Sequence, residues 1–97
     1  KKIIIKTKRI EKFLKEEDLK NCFIKIDVEG HEYEVLRGLG KKIKNIQFIM
    51  IEKQLFNLYK RKEKAGNYLK KNNFYIIKKF TFPSFHFQDI LYKNKNF

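Results

Sequence analysis

Apolar and polar residues alternate along this chain in two rhythms. Lys2 to Lys6 encloses Ile3-Ile4-Ile5, a β-branched run that predicts a short strand. In the charged stretch that follows, Ile10, Phe13, Leu14 and Leu19 recur at helical spacing and predict a short amphipathic helix. Phe23 to Val28 predicts a second strand, which ends in the acidic turn Asp27-Val28-Glu29-Gly30. From about His31 to Leu39 the apolar residues Val35, Leu36 and Leu39 share one helix face. Gly38 and Gly40 stand where a helix C-terminus favours residues that tolerate positive φ. Ile46 to Ile51 is almost continuously apolar up to Glu52, which predicts a strand buried on both faces, as in a helix-covered parallel sheet.

Leu55, Leu58, Tyr59, Lys62, Ala65 and Leu69 then mark a third helical stripe, closed by the turn-forming pair Asn72-Asn73. Beyond it the chain becomes aromatic. Phe74 to Phe82 and Phe85 to Lys93, separated by Pro83-Ser84, predict two strands of an antiparallel hairpin. The predicted order is β-α-β-α-β-α-β-β. Such alternation predicts an α/β sheet with right-handed crossovers, and the closing hairpin makes that sheet mixed.

Ninety-seven residues allow one small domain or a piece of a larger one. Cys22 is the lone cysteine, which excludes a disulfide framework and suits packing in a reducing compartment. No apolar run approaches the ~18–20 residues of a membrane span. The opening run is also shorter than the ~7–15 apolar residues of a secretory signal. A cytoplasmic protein with no membrane span is expected. The chain starts with Lys1 rather than Met, which suggests processing or an upstream segment.

Lys+Arg 24 against Asp+Glu 11 gives a net charge of +13, which raises the alternative of a small basic module for nucleic acid or anionic surfaces. The excess, however, is almost entirely Lys and is spread along the chain. Lys, Asn, Ile, Phe and Tyr are all plentiful, as AT-rich codons would make them. Arg, the residue suited to bidentate phosphate and base contacts, occurs only at Arg9, Arg37 and Arg61. Nucleic acid is therefore not the expected partner. Phe80, Phe82, Phe85 and Phe87 invite comparison with a base-stacking platform, but packing is the simpler use of them.

The acidic turn holds the candidate chemistry. Asp27 and Glu29 stand at the C-terminal end of a strand, and ligands of open α/β sheets bind beyond such ends. Gly30 eases the turn into the next helix, whose first turn carries Glu32 and Glu34 against the positive end of its dipole. On chemistry alone the two carboxylates serve a ligand or cap the helix. Asp27, Glu29, His31 and Glu52 are all possible metal donors. Carboxylates at i, i+2 chelate only if the turn aims them together, and no His-x-x-x-His or Cys pair supports them, so no metal is expected.

Lys25-Ile26-Asp27-Val28-Glu29-Gly30, followed by Glu32, Val35, Leu36 and Gly38, resembles the K-I-D-V-E-G signature of FkbM-type methyltransferases. Thr7 to Leu14 resembles the segment that precedes that signature. Ile46 to Glu52 resembles the family's next strand, and Asp89-Ile90-Leu91-Tyr92 its final one. The resemblance implies a Rossmann-like fold with strand order 3-2-1-4-5-7-6, the last strand antiparallel. It also implies methyl transfer from S-adenosylmethionine, with a hydroxyl of a small molecule or sugar as the expected acceptor.

The family's glycine-rich cofactor loop and ribose-binding acid have no counterpart among these residues. The chain therefore resembles the C-terminal portion of the domain, without its N-terminal cofactor-binding half. Such a fragment is expected to be inactive alone, and to be poorly soluble or paired with the missing half or another chain. By the resemblance Asp27 orients the acceptor or the cofactor, and Glu29 acts as a base or steadies the turn. Glu52 and His31 face or border the acceptor, although a surface position suits His31. His86 is expected to be structural.

Overall fold

The computed structural model describes residues 2–5, 22–28, 30–54, 64–82 and 87–97. The first predicted helix, the front of the third stripe (Leu55, Leu58, Tyr59, Lys62), Glu29 and the Pro83-to-His86 connection lie outside the described residues.

Strands β1 (Lys2–Ile5), β2 (Cys22–Ile26), β3 (Ile46–Gln54), β4 (Phe74–Phe82) and β5 (Phe87–Asn94) form one sheet in the order β1-β2-β3-β5-β4. The first three run parallel, and β5 lies antiparallel between β3 and β4. The mixed sheet and the terminal hairpin, with Phe82 opposite Phe87, match the sequence-based expectation. Helix α1 (Glu32–Leu39) continues into a 3₁₀ turn (Gly40–Asn45), and α2 (Lys64–Lys71) precedes β4.

Period-two patterning decides which face is buried. Cys22, Ile24 and Ile26 of β2 are buried, whereas Phe23 and Lys25 between them are half-buried. The buried side meets Val35, Leu36 and Leu39 of α1, Ile43 of the 3₁₀ turn and Leu69 of α2 in one core. Tyr33 and Tyr68 lock the two helices edge to face, with ring centroids 5.7 Å apart. Asn94 is the polar pin of this side. Its side-chain amide donates to the carbonyls of Lys44 (3.1 Å) and Ile46 (3.0 Å), fastening the end of β5 to the entry of β3.

Two local expectations are corrected. β3 is not buried on both faces: Ile46, Ile49 and Ile51 are buried, while Gln47, Phe48, Met50 and Glu52 are half-buried. The register slips between Cys22 and Phe23, which pair with Ile46 and Phe48, so an extra residue changes the parity of the strand. That bulge puts Ile46 and Ile49, three apart, on the same face, and together with half-buried Phe48 and Met50 on the other face they give the nearly continuous apolar run. Gly38 lies inside α1, and the positive φ at the helix end belongs to Gly40 (φ 54°). The Asn72-Asn73 turn forms as expected, with Asn73 at φ 68° and the Asn72 side chain donating to the Tyr68 carbonyl at 2.8 Å.

Candidate active site

The sheet gathers carboxylates where its parallel strands end. Asp27 directly follows β2, and its N–H donates to the Ile5 carbonyl at 2.8 Å, tying the turn to β1. Glu52 lies near the end of β3, with the preceding Ile51 beside Ile26 and Glu52 itself directly opposite Asp89 on β5. Glu52 and Asp89, paired across β3 and β5, and Asp27, the residue after β2, thus gather as a row of acids at one end of the sheet on the face turned away from α1 and α2. Lys25, two residues before Asp27, belongs to the same face. Its Nζ is 3.9 Å from Asp89 Oδ2.

Like charges opposite one another across strands cost stability. In this row the cost falls on the Glu52 carboxyl, which Asp27 neighbours closely enough to act on. Burial, then the hydrogen bond and charge of Asp27, then the charge of Asp89 push the Glu52 carboxyl up to about 6, with Lys25 pulling the other way. Asp89 is 8% exposed, and its Oδ1 has no hydrogen-bond partner among the described residues. The Glu52 carboxyl is thus half-protonated near pH 6 and mostly ionised, able to accept a proton, at neutral pH.

Of the site residues expected from sequence, Asp27 and Glu52 come together. His31 is exposed at the start of α1, with no side-chain capping bond, and its charge acts on Glu32 rather than on the row. Gly30 turns at φ 86°, and its N–H donates to Glu32 Oε2 at 2.9 Å, so Glu32 rather than Asp27 steadies the helix entry. Burial pushes the Glu32 carboxyl up, against that hydrogen bond. Sequence reasoning missed the place of Asp89 and Lys25 in the site. The i, i+2 spacing of Lys25 and Asp27 signals a shared strand face, but the register that brings Asp89 beside Glu52 has no local signal.

Among the described residues, no group of three or more His, Cys, Asp or Glu side chains is arranged to hold a metal ion. None of the described helices is long and apolar enough to cross a membrane. Among curated proteins and among solved structures, no significant match to the chain was found. The family model of the FkbM methyltransferase domain matches residues 1–91, from before β1 to the middle of β5. With that match spanning nearly the whole chain, and the signature Lys25–Gly30 leading out of the strand that supports the carboxylate row, the protein belongs to the FkbM methyltransferase family.

Proposed function

We propose that this chain supplies the acceptor side of a methyl-transfer site, in which a hydroxyl of a small molecule or sugar receives the methyl group of S-adenosylmethionine. The observation that carries this reading is the Asp27–Glu52 pair at the strand ends, with Glu52 raised to about 6. A base poised near the operating pH is what proton removal from an acceptor requires. Glu52 takes the hydroxyl proton as the oxygen forms its new bond, and Asp27 holds the Glu52 carboxyl in place. His31, at the start of α1, borders the acceptor.

The cofactor itself is not cradled by the described residues. Gly38 and Gly66 lie within helices and Gly40 ends one, which leaves Gly30 as a single loop glycine after a strand, with open space where a Cβ would project. One such position does not make a glycine-rich loop. S-adenosylmethionine would supply the electrophilic methyl group, and its pocket would come from an upstream half of the domain. Within the order β1-β2-β3-β5-β4, the part β2-β3-β5-β4 corresponds to 4-5-7-6 of the expected Rossmann-like order and supports this division. In contrast, β1 stands beside β2, where that order has strand 1 and not the strand that precedes strand 4 in the chain.

The test has two arms. Intact mass of the native gene product in its own cell establishes whether an upstream half is present. Transfer of labelled methyl from S-adenosylmethionine to a panel of sugars and small alcohols is then measured for the native product and for residues 1–97 alone. Transfer by the native product, reduced at least ~100-fold in Glu52→Gln, is expected of a general base. The isolated chain is expected to be silent. Activity indifferent to Glu52→Gln would remove Glu52 from the proton-transfer role.

A further inference from the structure

The ion pair between Lys25 and Asp89 joins strands that are not neighbours. Lys25 belongs to β2 and Asp89 to β5, and β3 runs between them. In register, Lys25 stands beside Met50, whereas Asp89 stands directly opposite Glu52. The lysine side chain therefore reaches over β3 between those two positions, bridging two strand spacings of ~4.8 Å, to bring its Nζ within 3.9 Å of Asp89 Oδ2. Asp89 is the more deeply placed partner, with 11% of its side chain exposed against 33% for Lys25. A carboxylate at such depth is costly without a counter-charge. The cation that answers it lies across the strand that carries Glu52.

We infer that Lys25 and Asp89 are a positioning pair of the methyl-transfer site, drawn across β3 to fix the place and the charge surroundings of the Glu52 carboxyl. This inference rests on the reading of Glu52 as the proton acceptor. Both residues act through Glu52 and not on the acceptor molecule. Asp89 adds a negative charge beside Glu52, and Lys25 offsets it at close range. The two push the Glu52 carboxyl in opposite directions, Asp89 up and Lys25 down, behind the larger effects of burial and Asp27. Without the lysine, Glu52 would keep its proton to higher pH and lose its use as a base near neutrality.

The other charged groups on this face are engaged elsewhere. Lys78 is in register with Leu91, and its ammonium stands 5.0 Å from the Phe80 ring centre. Lys93 is in register with Phe48, and its ammonium stands 6.0 Å from that ring's centre. Phe48 precedes Glu52 by four residues, about 13 Å along the strand, which exceeds a Debye length of ~8 Å. At the start of α1 the charge of His31 acts on Glu32. Among the described residues, Asp27, Asp89 and Lys25 are the charges that face Glu52.

Titration of the Glu52 side chain by NMR in residues 1–97 tests the pair without recourse to catalysis, with circular dichroism to confirm folding. Lys25→Met is expected to raise the Glu52 midpoint by about half a pH unit, and Asp89→Asn to lower it by a similar amount. The double variant exchanges a charged pair for a neutral one and should return the midpoint close to wild type. Lys25→Arg should keep the wild-type midpoint, and Lys93→Met should leave it in place. In the native product the acid limb of the methyl-transfer pH profile should move in the same order. Lys25→Met then loses activity mainly below about pH 7, whereas a merely structural defect would lower it evenly across pH. If Asp89→Asn fails to fold, Lys25→Met and Lys25→Arg carry the test. A midpoint unmoved by the single variants, moved in one direction by both, or moved as far by Lys93→Met would overturn the inference. The expected midpoint shifts beside a native product indifferent to Glu52→Gln would instead place the failure in the proton-transfer reading.

Discussion

Glu52 concentrates the chemistry of this protein in one carboxyl. Burial and two neighbouring acids raise it from 4.5 to about 6, so the folded chain binds more protons there than the unfolded chain. Stability from this group is therefore fully present below pH 4.5 and is lost as pH rises through about 6. Denaturant titrations at pH 5 and pH 7.5 should show the wild type gaining less from Glu52 at the higher pH, with Glu52→Gln flattening that part of the profile. Side-chain titration by NMR adds a check: Asp89→Asn should lower the Glu52 midpoint, and Lys25→Met should raise it. A Glu52 midpoint unmoved by either variant would detach it from the row. Asp27 and Glu52 were legible from sequence, because each closes an apolar run. Asp89 and Lys25 were not, because their relevance depends on pairing between strands far apart in the chain.

Helix α2 shows how an element can carry a residue that local propensity disfavours. Gly66 lies inside it, where glycine costs ~1 kcal/mol relative to alanine. A Cβ at this position would come within 3.0 Å of the hydroxyl oxygen of Tyr92, a residue only 4% exposed. The helix gives up propensity to approach β5 closely. Gly66→Ala is expected to destabilise by about 1 kcal/mol, because a buried tyrosine ring has little room to withdraw. In a Tyr92→Phe background the same change should turn neutral or stabilising. Thermal melts of the four proteins in this double-mutant cycle give the coupling, and strict additivity would show that the close approach is not the cause. The type and approximate place of the five strands, α1 and α2 were readable from the sequence, whereas the 3₁₀ turn at Gly40–Asn45 was not. The β3 bulge was not, since a nearly continuous apolar run has the same appearance whether a strand is buried twice or shifts its parity once.

At the scale of the molecule, one sheet face is packed by helices, and the other presents acids at one end with aromatics and lysines toward the other. The net charge of +13 surrounds this pattern without being organised by it. Weak binding to oligonucleotides is therefore expected at low salt, equal for unrelated sequences and fading between ~50 and ~200 mM salt. Fluorescence anisotropy with two unrelated single strands is the measurement. A sequence preference that survives at the higher salt would revive the basic binding module as the function.

The sequence by itself determined the alternation of strands and helices, the terminal hairpin, the family signature and the strand end at which the chemistry sits. All of these are written in spacing, side-chain size and charge within short windows. Tertiary structure decided the strand order, the register that sets Asp89 opposite Glu52 and beside Lys25, the parity shift in β3 and the sheet face that no described helix covers. The physical reason is that a carboxylate's proton affinity and a sheet's open side depend on neighbours brought together by pairing, and pairing partners are chosen by the whole sheet.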